Sequence, residues 1–224
     1  MKLKHITVIT ACAAFLVGAI STVAIKNMQP KEIEIYGLMP QITEQELILN
    51  SDIIVEATVT NIGESRWSNP QELPGKQNVL QTDIYFSVSD VLSGNYTDDE
   101  VVVRIDKGYD RKSNTRVISN GYPDFTLGEH VVLFLSRDDS DVATDENYFV
   151  LTGMRQGKWI IDESNSRTAA KLYSDSDSSD LSERNIASLK QKINTEKANN
   201  PNWDELKAKE REETKKINAE LFGE

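Results

Sequence analysis

Apolar and polar residues alternate with period two through the middle of the chain and with a period near 3.6 at its end. Between residues 52 and 62, Ile53, Val55, Ala57 and Val59 fall on one face. Glu56, Thr58 and Thr60 fall on the other, which is the pattern of a half-buried strand. Residues 64–77 contain Pro70, Pro74 and Gly75 and read as a long loop. A second strand covers 79–92, with Leu80, Ile84, Phe86 and Val88 on one face. Its alternation slips at Asp90, which predicts a bulge. Ser93-Gly94-Asn95 makes a turn, and 101–105 form a third strand with Val101, Val103 and Ile105 inward. Residues 106–124 are irregular around a weak strand at 115–118. A strong strand follows at 130–136, then an acidic turn at 138–147. Residues 148–151 and 158–161 are a closing pair with Gly153 and Gly157 between them. Ahead of all these, 43–50 predict a short helix in which Thr43 and Glu46 have capping-box spacing.

Five or six strands with no helix between them predict a mainly β fold, a small antiparallel barrel or sandwich. The chain divides into residues 1–30, a linker at 31–41, the barrel domain at 42–165, a polar acidic hinge at 166–181 and a helical tail at 182–224. In the tail, Ser182 can cap a helix whose stripe is Ile186, Leu189 and Ile193. Pro201 starts a second helix carrying Trp203, Leu206, Ile217 and Leu221, and Gly223 ends it. The polar hinge lets this tail move, so the sequence predicts an interaction element that adds little to barrel stability.

The N-terminus is of another kind. Lys2, Lys4 and His5 precede residues 6–25, which carry no charge. A helix of that length spans about 30 Å, the apolar thickness of a bilayer. The leading lysines place the N-terminus in the cytoplasm and the domain outside it. The expected localisation is the cell membrane, with a single pass through residues 6–25. The alternative is secretion after cleavage near Ala24, where Thr22-Val23-Ala24 offers small residues. Cys12, the single cysteine, sits within the span. The exported part therefore has no disulfide framework and depends on its core.

Charge narrows the partners. The 224 residues hold 36 acids and 25 bases, a net charge of −11. Three of those bases lie in the first 30 residues, so the rest is net −14. There is no run of lysine or arginine, and such a surface repels a phosphate backbone, so no nucleic acid is expected.

Residues 50–59, the run Ile84-Tyr85-Phe86-Ser87-Val88, Val91-Leu92-Ser93-Gly94, the valine strand, residues 127–135 and Tyr148-Phe149-Val150 together resemble a netrin-like domain. That is the OB-type barrel used by tissue inhibitors of metalloproteinases. Similar segments occur in uncharacterised exported bacterial proteins. The resemblance covers roughly residues 42–162 and implies the fold. Inhibitors of this family chelate the protease zinc with an N-terminal cysteine. This domain contains no cysteine, so the inhibitory chemistry has no residue to sit on.

Candidate chemistry is sparse. His130 could be a base or a ligand, but one histidine makes no zinc site, and it reads as a strand-edge residue facing solvent. No nucleophile elbow lies near it. The acidic clusters Asp138, Asp139, Asp141, Asp145, Glu146 and Asp175, Asp177, Asp180 lack the EF-hand pattern and read as solvated turns. No catalytic, cofactor-binding or metal-ligating residue is assigned. Trp67, Tyr109 and Tyr122 fall in long loops, where aromatics either contact a ligand or fold back as lids. Trp159 reads as core.

The expected function is a membrane-tethered extracytoplasmic binding or interaction module, non-enzymatic, engaging an envelope or extracellular protein. The alternatives are an inhibitor or regulator of an extracellular enzyme, and a carboxylate- or metal-dependent hydrolase.

Overall fold

A computed structural model describes residues 29–171 and 184–222, except Leu38, Gly75, Lys76, Asp141, Asp145, Asn165 and Ser166. The apolar segment 6–25, Cys12, Ala24, Ser182, Gly223 and the core of the acidic hinge lie outside the described residues. No helix among the described residues is long and apolar enough to cross a membrane.

The alternating segments become strands almost where their patterns lie. They are β2 (Ile53–Ile62), β4 (Leu80–Ser93), β5 (Glu100–Ile105), β8 (His130–Ser136), β9 (Val150–Leu151) and β10 (Lys158–Asp162). Two-residue β3 (Arg66–Trp67) interrupts the long loop. The main sheet runs β12-β11-β10-β8-β2-β4-β3, with β5 also on β4 and β9 also on β8. Here β11 is Thr168–Lys171 and β12 is Arg184–Asn185. The expected slip is present: Glu56 pairs Asp90 and Ala57 pairs Val88, which leaves Ser89 as the extra residue.

The ladders do not close into a barrel. Because β9 has only two residues, β5 meets the chain beside it at one parallel bridge, Val103 to Phe149. At that bridge Phe149 N donates to Val102 O (2.9 Å) and Arg104 N donates to Phe149 O (2.8 Å).

The sheet is a shared wall between two cores. Ile53, Val55, Ala57, Val59, Phe86, Val131, Leu133 and Leu135 face the inner one. Ile54, Val132, Phe134 and Trp159 face the outer one. Having core on both sides explains why β8 reads as an unbroken apolar run. The outer core is covered by α1 (Glu44–Asn50) and α2 (Ile186–Asn199). In α1 the capping box forms: Glu46 N donates to Thr43 Oγ1 (3.1 Å), and Thr43 N donates to Glu46 Oε2 (2.7 Å). In α2, Asn185 is the cap, accepting from Ala187 N at 2.9 Å.

This arrangement corrects the picture of a detached tail. Leu189 and Ile193 of α2 are fully buried against Trp159 and α1. The start of α3 (Trp203–Phe222) is also held: Lys207 Nζ lies 2.6 Å from Asp52 Oδ1, and Trp203 Nε1 donates to Asn50 Oδ1. The flanks of the expected hinge pair with each other, Thr168 with Asn185 and Ala169 with Arg184.

The expected linker is not slack either. Its first part is β1 (Lys31–Ile35), parallel to β7 (Thr115–Ser119), which in turn pairs with β6 (Gly108–Asp110). Gln156 then stitches the rest, accepting from Ile42 N and donating to Pro40 O.

Candidate functional site

The small sheet β1-β7-β6 stands beside the ends of β2, β4 and β5, and a cleft of about 1350 Å³ opens between them. Its apolar lining includes Ile84, Ile105 and Phe125. Phe125 stands edge-on to the core ring of Phe86 at 5.4 Å.

One hydroxyl pair sets the spacing of the walls. Ser65 Oγ and Thr82 Oγ1 lie 2.8 Å apart. Ser65 Oγ accepts from Tyr109 N (2.9 Å), and Thr82 Oγ1 donates to Lys107 O (2.6 Å). Gly108 lies between these contacts, and a Cβ there would overlap both hydroxyls.

Trp67 and Tyr109 both line the cleft. Trp67 Nε1 donates to Asp110 Oδ2 at 3.0 Å. Tyr109 is 38% exposed, its hydroxyl donates to Asn114 Oδ1 (2.7 Å), and the Arg116 guanidinium lies 5.8 Å from its ring centre. Tyr122 is placed differently. It packs against the inner core, and its hydroxyl donates to Asp106 Oδ2 at 2.8 Å. Burial first, and then the Asp106 charge, push its phenol pKa up. The structure therefore brings two of the three candidate aromatics together and makes the third a packing residue behind them.

The lining is locally basic in an acidic protein. Arg66, Lys107, Arg111, Lys112 and Arg116 outnumber Glu64, Asp110 and Asp124. Sequence reading missed these cations because they are scattered over 50 positions and form no run. Arg66 is committed to Asp83 and Glu146, and Lys107 to Asp124. The side chains of Arg111 and Lys112 are exposed and make no ion pair among the described residues.

His130 does not face solvent as expected. Thr58 pairs with His130, so the imidazole lies on the same face as Glu56, and it is half-buried. Its Nε2 lies 2.9 Å from Glu56 Oε1, out of hydrogen-bond alignment, and its Nδ1 lies 2.5 Å from Glu163 Oε1. Arg167 also pairs with Glu56, and Ser89 Oγ donates to Glu56 O. Both ring nitrogens therefore face carboxylates.

Among the described residues no group of three or more His, Cys, Asp or Glu could hold a metal ion. In the acidic turn, Asp138 accepts from Tyr148 Oη (2.6 Å), and Glu146 pairs with Arg104 and Arg66. The second acidic cluster, 175–180, lies outside the described residues. Compared with known proteins, the chain matches no protein-family model and no curated sequence.

Proposed function

We propose that this protein is a non-enzymatic binding module held on the outer face of the cell membrane by residues 6–25, with the cleft between Trp67 and Tyr109 as its ligand seat. The carrying observation is the cleft itself: two aromatic side chains fixed by hydrogen bonds, above an apolar floor and beside a basic rim. The OB-type reading of the core is carried over from the sequence resemblance, and the order β8-β2-β4 with β5 on β4 accommodates it. In OB folds the face of the second and third strands, with the loop after the first, carries ligands. Here the corresponding segments are β4, β5 and the loop holding Arg66 and Trp67, which line the cleft.

Two measurements test this reading. Protease added to intact spheroplasts should remove the domain, and complete protection would sink the topology. A photocrosslinking residue at Trp67 in living cells should give a discrete adduct that is absent when the same residue replaces Leu127, which is exposed and does not line the cleft. Identical adducts from both positions, or none from Trp67, would remove the cleft from the proposal.

A further inference from the structure

The cleft has a fixed relation to the point where the chain arrives from its apolar segment. That segment ends at Ile25, and Lys31 opens β1. Six residues reach at most about 20 Å. Lys31 N donates to Asn114 O at 2.8 Å, and Asn114 Nδ2 donates to Gln29 O at 3.2 Å. The turn between β6 and β7 is therefore bonded to the first residues after the segment. A headgroup layer about 5–7 Å deep on each side of the apolar slab brings lipid phosphates within reach of this turn.

The turn carries Arg111 and Lys112, both exposed and both on the rim of the cleft. Two of the neighbouring acids have partners of their own, and Glu64 also lines the cleft. Asp110 accepts from Trp67 Nε1, Ser113 Oγ and Lys112 N, and Glu32 lies 4.0 Å from Arg116. The remainder of the domain is strongly acidic, net −14 beyond residue 30. An anionic lipid surface repels that bulk and attracts this edge, so it orients the domain as well as holding it. Guanidinium and ammonium groups side by side suit a phosphodiester.

We propose that the β6–β7 turn docks on the phosphates of anionic membrane lipids through Arg111 and Lys112, which seats the mouth of the cleft against the membrane surface. This inference rests on the tether proposed above. It makes the ligand of the cleft one that is met at the bilayer surface.

The test uses the full chain with Cys12→Ser and a fluorescent donor on Ser113→Cys, reconstituted into nanodiscs that carry a headgroup-linked acceptor. In discs of equal parts phosphatidylglycerol and phosphatidylcholine, energy transfer should be high. In phosphatidylcholine alone it should fall to the level of a donor on Leu127→Cys. It should fall equally with Arg111→Glu and Lys112→Glu combined, while the thermal midpoint stays unchanged. Inorganic phosphate at matched ionic strength should leave transfer intact; its loss would mean a soluble-phosphate site and overturn the lipid assignment. Transfer that is the same in both lipid mixtures, or unaffected by the double substitution, overturns the docking alone. A chain that carbonate extracts from the discs overturns the tether and the docking together.

Discussion

The carboxylate of Asp110 accepts the indole N–H of Trp67 at 3.0 Å, linking β6 to a strand 43 positions earlier. The same carboxylate accepts from Ser113 Oγ and from Lys112 N. These donors, Ser113 foremost, hold its pKa at about 2, below the ordinary 3.8. A depressed acid contributes fully above its unfolded pKa and loses that contribution as pH falls through the folded one. The Trp67 indole proton resonance should therefore stay constant down to about pH 3 and move with a midpoint at about pH 2. Asp110→Asn should abolish that movement. A titration centred at 3.8 would show that the carboxylate is not held as described.

Arg104 is a deeply engaged cation. Its side chain is 2% exposed, it grips Asp83 through Nε (2.7 Å) and Nη2 (3.0 Å), it pairs with Glu146, and it lies over the Tyr148 ring. Removing Arg104 leaves the nearly buried Asp83 with only the exposed Arg66 as ionic partner. Arg104→Ala should lower the urea-derived stability by about 3 kcal/mol or more. Arg104→Met combined with Asp83→Leu should recover part of it. A single-variant loss under about 1 kcal/mol would mean that the pair is solvated in practice.

The two cores should fail together because they share β2 and β8 as a wall. Phe86→Ala in the inner core and Leu189→Ala in the outer core should cost about 3–5 and 2–5 kcal/mol respectively. For a protein of this size that lowers the midpoint by several degrees in each case. Far-UV circular dichroism and tryptophan fluorescence should report one coincident transition in both variants. Deleting α2 and α3 should likewise destabilise the sheet. An unchanged melt would restore the picture of an independent tail.

At Gly157 the backbone leaves no room for a side chain: a Cβ would stand 2.5 Å from Thr152 O and 2.9 Å from Phe134 O. Gly157→Ala should cost about 1–3 kcal/mol through forced backbone shifts. Gly37→Ala, with nothing within 4 Å, should be neutral and serves as the control.

The elements that could be read from the sequence are those whose pattern and partners are local. The face Ile53, Val55, Ala57, Val59, the capping box of Thr43 and Glu46, and the slip at Asp90 each encode themselves within a few residues. β1 escaped because Lys31, Glu32 and Glu34 look like linker residues. Its stability comes from a parallel partner more than 80 residues away. β11 and β12 escaped for a similar reason: Thr168–Lys171 is short, and its pairing with Arg184–Asn185 bridges the acidic stretch. In the tail, the buried Leu189 and Ile193 were visible as a stripe. What covers them, Trp159 and α1, depends on tertiary folding. The same holds for the cleft. Trp67 and Tyr109 stand out as loop aromatics, but their meeting depends on Asp110 and on the Ser65–Thr82 contact. The scattered cations carry no periodic signal.

The parallel pairing of β1 with β7 has a mechanical consequence. If the tether proposed above holds, a pull transmitted along the N-terminal segment enters the domain at Lys31 and loads the five residue pairs from Lys31–Thr115 to Ile35–Ser119 first. The small sheet lies outside the main one, so it acts as a strain relief: tension would peel β1 and distort the wall that carries Tyr109 and Arg116 before it reached the two cores. Stress along the tether would then be felt at the cleft as a change of shape while the rest of the domain stayed intact.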